Sequence, residues 1–133
     1  PEERLAHIRR TNDTIQGRHV IKSLLIMLTD KFYPLQVEDI QYFYTMNEKV
    51  TAYTSDGKLH PVDRTLDALG DQLDEKHFFR ANRQFIISRK AIKDIDLWFG
   101  SRLSVNLTLP IPERIIISKT KTPVFKKWIL MEE

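Results

Sequence analysis

Eight residues, "RLSVNLTL" at 102–109, alternate without error. Leu103, Val105, Leu107 and Leu109 fall on one side, and Arg102, Ser104, Asn106 and Thr108 on the other. A period of two belongs to a strand with one face in the core and one in water, the usual arrangement in antiparallel sheets. The preceding "AIKDIDLW" (91–98) is joined to it by the short turn "FGS", so the two read as a hairpin. "PIPERIII" (110–117) is expected to pair next, with Pro110 and Pro112 marking its start as a bulge or an edge.

Short strands also fill the first half. "IKSLLIML" (21–28) reads as a largely buried strand, and "IQYFYTM" (40–46) and "VTAYT" (50–54) flank the turn Asn47 to Lys49. "SDG" (55–57) is a tight-turn signal, because Asp-Gly suits positive φ angles. "KLHPV" (58–62) continues as a short strand, where Pro61 points to an edge position. One helix is clear, since Val62, Leu66, Leu69 and Leu73 make a single apolar stripe, with Thr65 or Asp63 as its cap. Near the end, Val124, Trp128 and Met131 share a helical face, with Phe125 and Ile129 adjoining. That helix starts either at Thr122-Pro123, as cap and first-turn proline, or earlier at Ser118. The fold class is therefore mostly β: several short antiparallel strands with one or two short helices.

The length of 133 residues suits one domain, and a hydrophobic fraction of 41% is enough for a core. No cysteine is present, which excludes disulfides, Cys-based zinc sites and thiol catalysis. The longest aliphatic run, "LLIML" at 24–28, is far short of the roughly 20 apolar residues of a membrane span. The charged start of the chain is not a secretory signal, so a cytoplasmic location is expected. The first residue is Pro1, and "PEERLAHIRR" looks thinly helical before "TNDT" breaks the pattern. Residues 1–18 therefore read as a linker or the tail of an upstream domain, and 19–133 as the globular domain.

Charge is unevenly spread. Residues 1–75 carry 9 Lys/Arg against 13 Asp/Glu, and residues 76–133 carry 12 against 5. The basic second half points to an anionic partner, most simply nucleic acid, or else is a solvated face. Catalytic motifs are missing. The four histidines, His7, His19, His60 and His77, are scattered, and there is no HExxH, GxSxG or phosphate-binding glycine loop. Asp94 and Asp96 share a strand face, but no third ligand type stands nearby. No enzyme activity, metal or cofactor is expected.

The stretch "HFFRANRQFIIS" (77–88) concentrates the remaining signal. Phe78, Phe79, Phe85, Ile86 and Ile87 supply apolar anchors, while Arg80, Asn82, Arg83 and Gln84 form a polar side. Further cations follow at Arg89, Lys90, Lys93 and Arg102, and Lys119, Lys121, Lys126 and Lys127 cluster at the last helix. Arg and Asn read purine edges through paired hydrogen bonds, and the same cations hold phosphates without sequence information. Alternatively, Arg80 and Arg83 pair with Asp94 or Asp96 across a sheet.

The block "FFRANRQFIISRKAIKDI" resembles the signature of the LytTR DNA-binding domain. "TLDALGDQL" before it, the hairpin after it and Ser118-Lys119 near the end follow the family's order. The upstream stretch "VEDIQYFYTMNEKVTAYTSDGK" is also similar, so the resemblance covers about residues 19 to 131. It implies a mostly β fold whose loops enter the major groove, as the output domain of a bacterial response regulator behind a receiver domain.

Carried over by position, the resemblance implies base contacts for Arg83, Lys119 and Asn47, with Lys49 close to the last. It implies phosphate or supporting contacts for Arg80, Gln84, Arg102 and Ser118; Asn82, Lys121 and Lys49 are expected in the same role. Asn82 stands where the family usually has His, Gln84 where it has Ser, Ser88 where it has Asn, and Lys119 where it has Arg. Lys119 keeps the charge but loses the planar fork of a guanidinium. The implied partners are double-stranded DNA at promoter sites, as repeated half-sites, and a second copy on DNA. The rival reading is a small PAS-like sensory or interaction module, motivated by Tyr42, Phe43, Tyr44 and Tyr53.

Overall fold

The structure, a computed structural model, describes residues 19–131, so the expected linker over residues 1–18 lies outside the described residues. Ten strands and two α-helices form among the described residues. A hairpin of β1 (Ser23–Met27) and β2 (Phe32–Gln36) comes first. A single 3-10 turn leads into β3 (Ile40–Met46), β4 (Lys49–Thr54) and β5 (Leu59–Val62). Helix α1 (Leu66–Gln72) connects to β6 (Phe78–Arg80) and β7 (Phe85–Ser88). The last section is β8 (Ile92–Trp98), β9 (Arg102–Leu107), β10 (Ile115–Ile117) and helix α2 (Thr122–Leu130).

The strands make three antiparallel sheets, ordered β1-β2, β5-β4-β3-β7-β6 and β10-β9-β8. The five-stranded sheet is central, and each of its faces carries a core. On one face Phe43, Ile86 and Phe78 pack with Leu24 and Ile26 of β1 and with Leu66, Leu69 and Leu73 around α1. On the other, Tyr42, Tyr44, Phe85 and Ile87 pack with Leu103, Val105, Ile115, Ile117, Phe125 and Trp128. Neighbouring residues of β3 thus serve opposite cores, which is why "IQYFY" is apolar throughout. The four aromatics Tyr42, Phe43, Tyr44 and Tyr53 are spent on this packing, with Tyr42 stacked on Tyr53 at 4.3 Å.

Several expectations are sharpened by the structure. Thr65 caps α1, accepting from the Ala68 amide at 3.0 Å, and Val62 belongs to β5 instead of the helix. Pro61 does lie on an edge strand. Both candidate starts of the last helix contribute: Ser118 accepts from the amide and hydroxyl of Thr122, and Pro123 sits in the first turn, where no amide is needed.

Two expectations are corrected. The strand at 21–28 is not largely buried: Leu24 and Ile26 face the core while Leu25 and Met27 face outward, because a two-stranded sheet has only one face covered. In α2 the buried positions are Phe125 and Trp128, and Val124 is exposed, because the helix turns Phe125 toward Phe79 of β6 at 5.2 Å.

Candidate nucleic-acid interface

Three turns converge at one end of the central sheet. The β3–β4 turn carries Asn47 and Glu48, both at positive φ (54° and 64°), as a two-residue hairpin of matching twist requires. Beside it lies the β6–β7 turn, because the Thr45 amide donates to the Gln84 carbonyl at 3.0 Å and extends the β3–β7 ladder. The third turn, Ser118 to Lys121, follows β10 and opens α2.

The β6–β7 turn is built from its own polar side chains. Asn82 Oδ1 accepts from the Gln84 amide at 2.8 Å and the Phe85 amide at 3.1 Å, and its Nδ2 donates to the Ile116 carbonyl of β10 at 3.0 Å. Arg80 Nε donates to the Asn82 carbonyl at 2.7 Å, and its terminal nitrogens reach Asp67 (2.7 Å) and the Arg83 carbonyl (3.3 Å). Lys121 Nζ donates to the Arg80 carbonyl at 2.9 Å, and burial, then the nearby Arg80 charge, pushes its ammonium below the usual lysine range. Arg80 therefore pairs with Asp67 and not with Asp94 or Asp96, which are both held by Asn106 Nδ2 at 2.6 and 2.9 Å.

What this frame leaves free is informative. Arg83 and Lys119 are exposed, and their side chains have no partner among the described residues. Gln84, Asn47 and Lys49 are exposed as well. Arg102 uses Nε on the Phe99 carbonyl at 2.8 Å, and its terminal nitrogens have no hydrogen-bond partner among the described residues. Ser118 is engaged locally, its Oγ accepting from the Lys121 amide at 3.2 Å. Arg80, Asn82, Arg83, Gln84, Arg102, Ser118 and Lys121 together border one shallow cleft of about 580 Å³. Asn47 and Lys49 sit on the neighbouring turn and Lys119 next to Ser118.

Among these ten positions Arg80, Asn82 and Lys121 are engaged in holding the turns, while Arg83, Lys119 and Asn47 are exposed at them. The bonds that tie the turns to one another, Asn82 to the Ile116 carbonyl and Lys121 to the Arg80 carbonyl, join residues far apart in sequence and leave no local signal. Among the described residues no cluster of His, Asp or Glu could hold a metal ion, and no helix is long and apolar enough to cross a membrane.

Residues 30–130 match the model of the LytTr DNA-binding domain. The chain belongs to that family. It is 27% identical over 100 residues to the sensory transduction protein LytT of Enterococcus faecalis, covering 75% of this chain and 37% of that protein. To LytT of Bacillus subtilis it is 28% identical, covering 84% of this chain and 44% of the relative. To the transcriptional regulatory protein YpdB of Escherichia coli it is 25% identical, covering 92% and 46%. The chain thus spans less than half the length of these relatives. A solved LytTr DNA-binding domain of a putative methyl-accepting/DNA response regulator from Bacillus cereus superposes with a TM-score of 0.70 at 19% identity, covering 84% of this chain and 99% of that one. The mostly β fold expected from the alternating strands is the LytTr fold.

Proposed function

We propose that this LytTr domain reads duplex DNA through its three convergent turns, with Arg83, Lys119 and Asn47 on base edges and Arg102, Lys49 and Gln84 on phosphates. The observation that carries the reading is the contrast within the β6–β7 turn. The Arg83 side chain projects without a partner among the described residues, from a loop that Arg80 and Asn82 hold by hydrogen bonds. A side chain presented from a rigid base loses less entropy on binding than one on a mobile loop. Arg80, Asn82 and Lys121 act from behind, positioning the turns, and Ser118 closes the third.

The wider setting is part of the same proposal. Relatives named as sensory transduction and transcriptional regulatory proteins, of which this chain covers less than half, support an output domain of a bacterial two-component regulator in the cytoplasm. In that setting residues 1–18 link it to a receiver domain, and two copies occupy repeated half-sites. The basic residues gathered at one end favour this reading over a ligand-enclosing sensory module.

Selection from a pool of random duplexes at moderate salt, followed by sequencing of the bound fraction, tests it. The expected result is an enriched motif, with Arg83→Ala costing about 1–3 kcal/mol at that site and relaxing preference at one base pair. Binding without any enriched motif, or an Arg83→Ala variant with unchanged affinity and preference, overturns the assignment of Arg83 as a reader.

A further inference from the structure

The β8–β9 turn, read from the sequence only as a connection, has an unusual construction. Gly100 (φ 69°) and Ser101 (φ 62°) are consecutive left-handed residues, and Ser101 holds a conformation that costs an L-residue about 1 kcal/mol. Arg102 Nε closes the turn on the Phe99 carbonyl at 2.8 Å. Trp98 meets Phe99 edge-on at 5.2 Å, and the Arg114 guanidinium lies over the Trp98 ring at 4.1 Å while donating to Ser104 Oγ at 3.2 Å. On this shelf the Phe99 residue stands 75% exposed, beside Leu97 at 86%. Single exposed apolar residues are ordinary. An aromatic ring on a turn closed by one arginine, beside a Trp98 ring covered by another, is not.

Its place in the sheet says what it faces. Leu103 pairs with Ile117, and Trp98 with Arg102, so the turn sits at the same sheet end as Ser118, Lys119 and Arg102. In the order β10-β9-β8 it is outermost, about one strand spacing (~4.8 Å) beyond β9. We propose that this turn is a fourth DNA-contacting element, in which the Phe99 ring packs on the deoxyribose edge of the duplex next to phosphates held by Arg102.

The inference rests on the reading of this end as the DNA face. Charge selects the occupant: Arg102, which closes the turn, and Arg114, which covers the neighbouring Trp98 ring, favour a polyanion that also offers apolar sugar edges. The contact ends at the turn, because Asp94 and Asp96 lie farther back along β8 and would repel phosphates. A protein partner laid along the whole β8 edge would instead have to cover those two carboxylates. Phe is suited to the role, since a ring with two rotatable bonds loses little entropy on contact.

The test uses the 133-residue chain and the duplex enriched from the random pool, with affinity followed by fluorescence anisotropy over a salt series. Phe99→Ala is expected to weaken binding roughly tenfold, Phe99→Leu by less, with unchanged thermal melting because the ring is outside the core. An apolar contact releases no counterions, so Phe99→Ala leaves the slope of log affinity against log salt unchanged. Arg102→Ala reduces its magnitude by about one. If wild-type chain binds its motif and Phe99→Ala binds equally well, the fourth element is wrong and the three-turn reading stands. If Phe99→Ala instead loses self-association with DNA affinity intact, the ring belongs to a protein contact and the proposal fails. A wild-type chain that binds no duplex overturns the underlying reading and this inference with it.

Discussion

The β6–β7 and β3–β4 turns lie side by side and present one candidate reader each, yet they are made rigid by opposite means. Around Arg83 the chain is cross-braced, with Asn82, Arg80 and Lys121 supplying hydrogen bonds that reach β10, α1 and the start of α2. Around Asn47 no side chain among the described residues supplies a comparable brace, and shape comes from the strand register and two positive φ angles. A braced turn can hold an irregular path and tie itself to a second reading element. A bare hairpin tip is local, so its geometry follows from two residues and can be altered without disturbing its neighbours.

Cutting the brace is expected to give the largest effect. Asn82→Ala strands the Gln84 and Phe85 amides and the Ile116 carbonyl, which should cost about 1–3 kcal/mol of stability, read as a lower urea midpoint. Because the Ile116 bond also joins the Arg83 turn to the strand leading to Lys119, motif affinity should fall at least as far as in Arg83→Ala, with preference relaxed at the positions read by both. Asn82→Asp keeps the acceptor for the two amides and sets a carboxylate oxygen, which cannot donate, against the Ile116 carbonyl. In urea melts it should recover part of the stability, separating the brace within the turn from the brace between turns. An Asn82→Ala chain that still selects the wild-type motif would show that the two turns are independent, and the contrast with the hairpin tip would collapse.

The same contrast explains what could be read from the sequence. Strands with one wet face announce themselves, as 102–109 does, because alternation is a property of adjacent residues. Arg83 was legible as a cation beside an aromatic anchor and Lys119 as one of the lysines near the last helix, and the resemblance gave both their roles. The brace was not, because Asn82 spends its amide on a backbone carbonyl 34 positions away, which any residue type could have supplied. Strand β2 went unread because Pro34 interrupts "FYPLQ" and only Leu35 is buried. The buried face of α2 was misassigned because Val124 and Phe125 are both apolar, and only the position of Phe79 decides between them.

A smaller effect is expected at the bare tip. Hairpin turns of this kind favour Asn-Gly, and Asn tolerates the left-handed region, but here the second residue is Glu48 at φ 64°. Relieving that strain with Glu48→Gly should raise stability by about 0.5–1 kcal/mol, after the extra freedom of glycine in the unfolded chain is set against it. It also removes a carboxylate from the DNA face, so non-specific binding at low salt should rise slightly. Differential scanning calorimetry decides the first point. A lower melting temperature in Glu48→Gly would mean that Glu48 makes a stabilising contact outweighing its backbone strain, and the tip would not be bare.

The smallest effect concerns the strand beneath that tip. Tyr44, two residues before Met46, donates its phenol hydrogen to Glu113 at 2.5 Å, tying β3 to the segment before β10. The bond to Glu113, and then burial, push the Tyr44 phenol up to about 12 from 10.0. Between those values the native chain holds a proton that the unfolded chain has released. This contribution to stability is therefore complete below pH 10 and is lost as pH rises toward 12. Tyr44→Phe should melt slightly lower at neutral pH and lose less stability than wild type over that alkaline window. Its consequence for DNA is the sharper comparison. If the tip takes its shape from its own backbone, the variant keeps wild-type base preference at the position read by Asn47. A changed preference there would mean that the hairpin, like its neighbour, is held from below by a side chain.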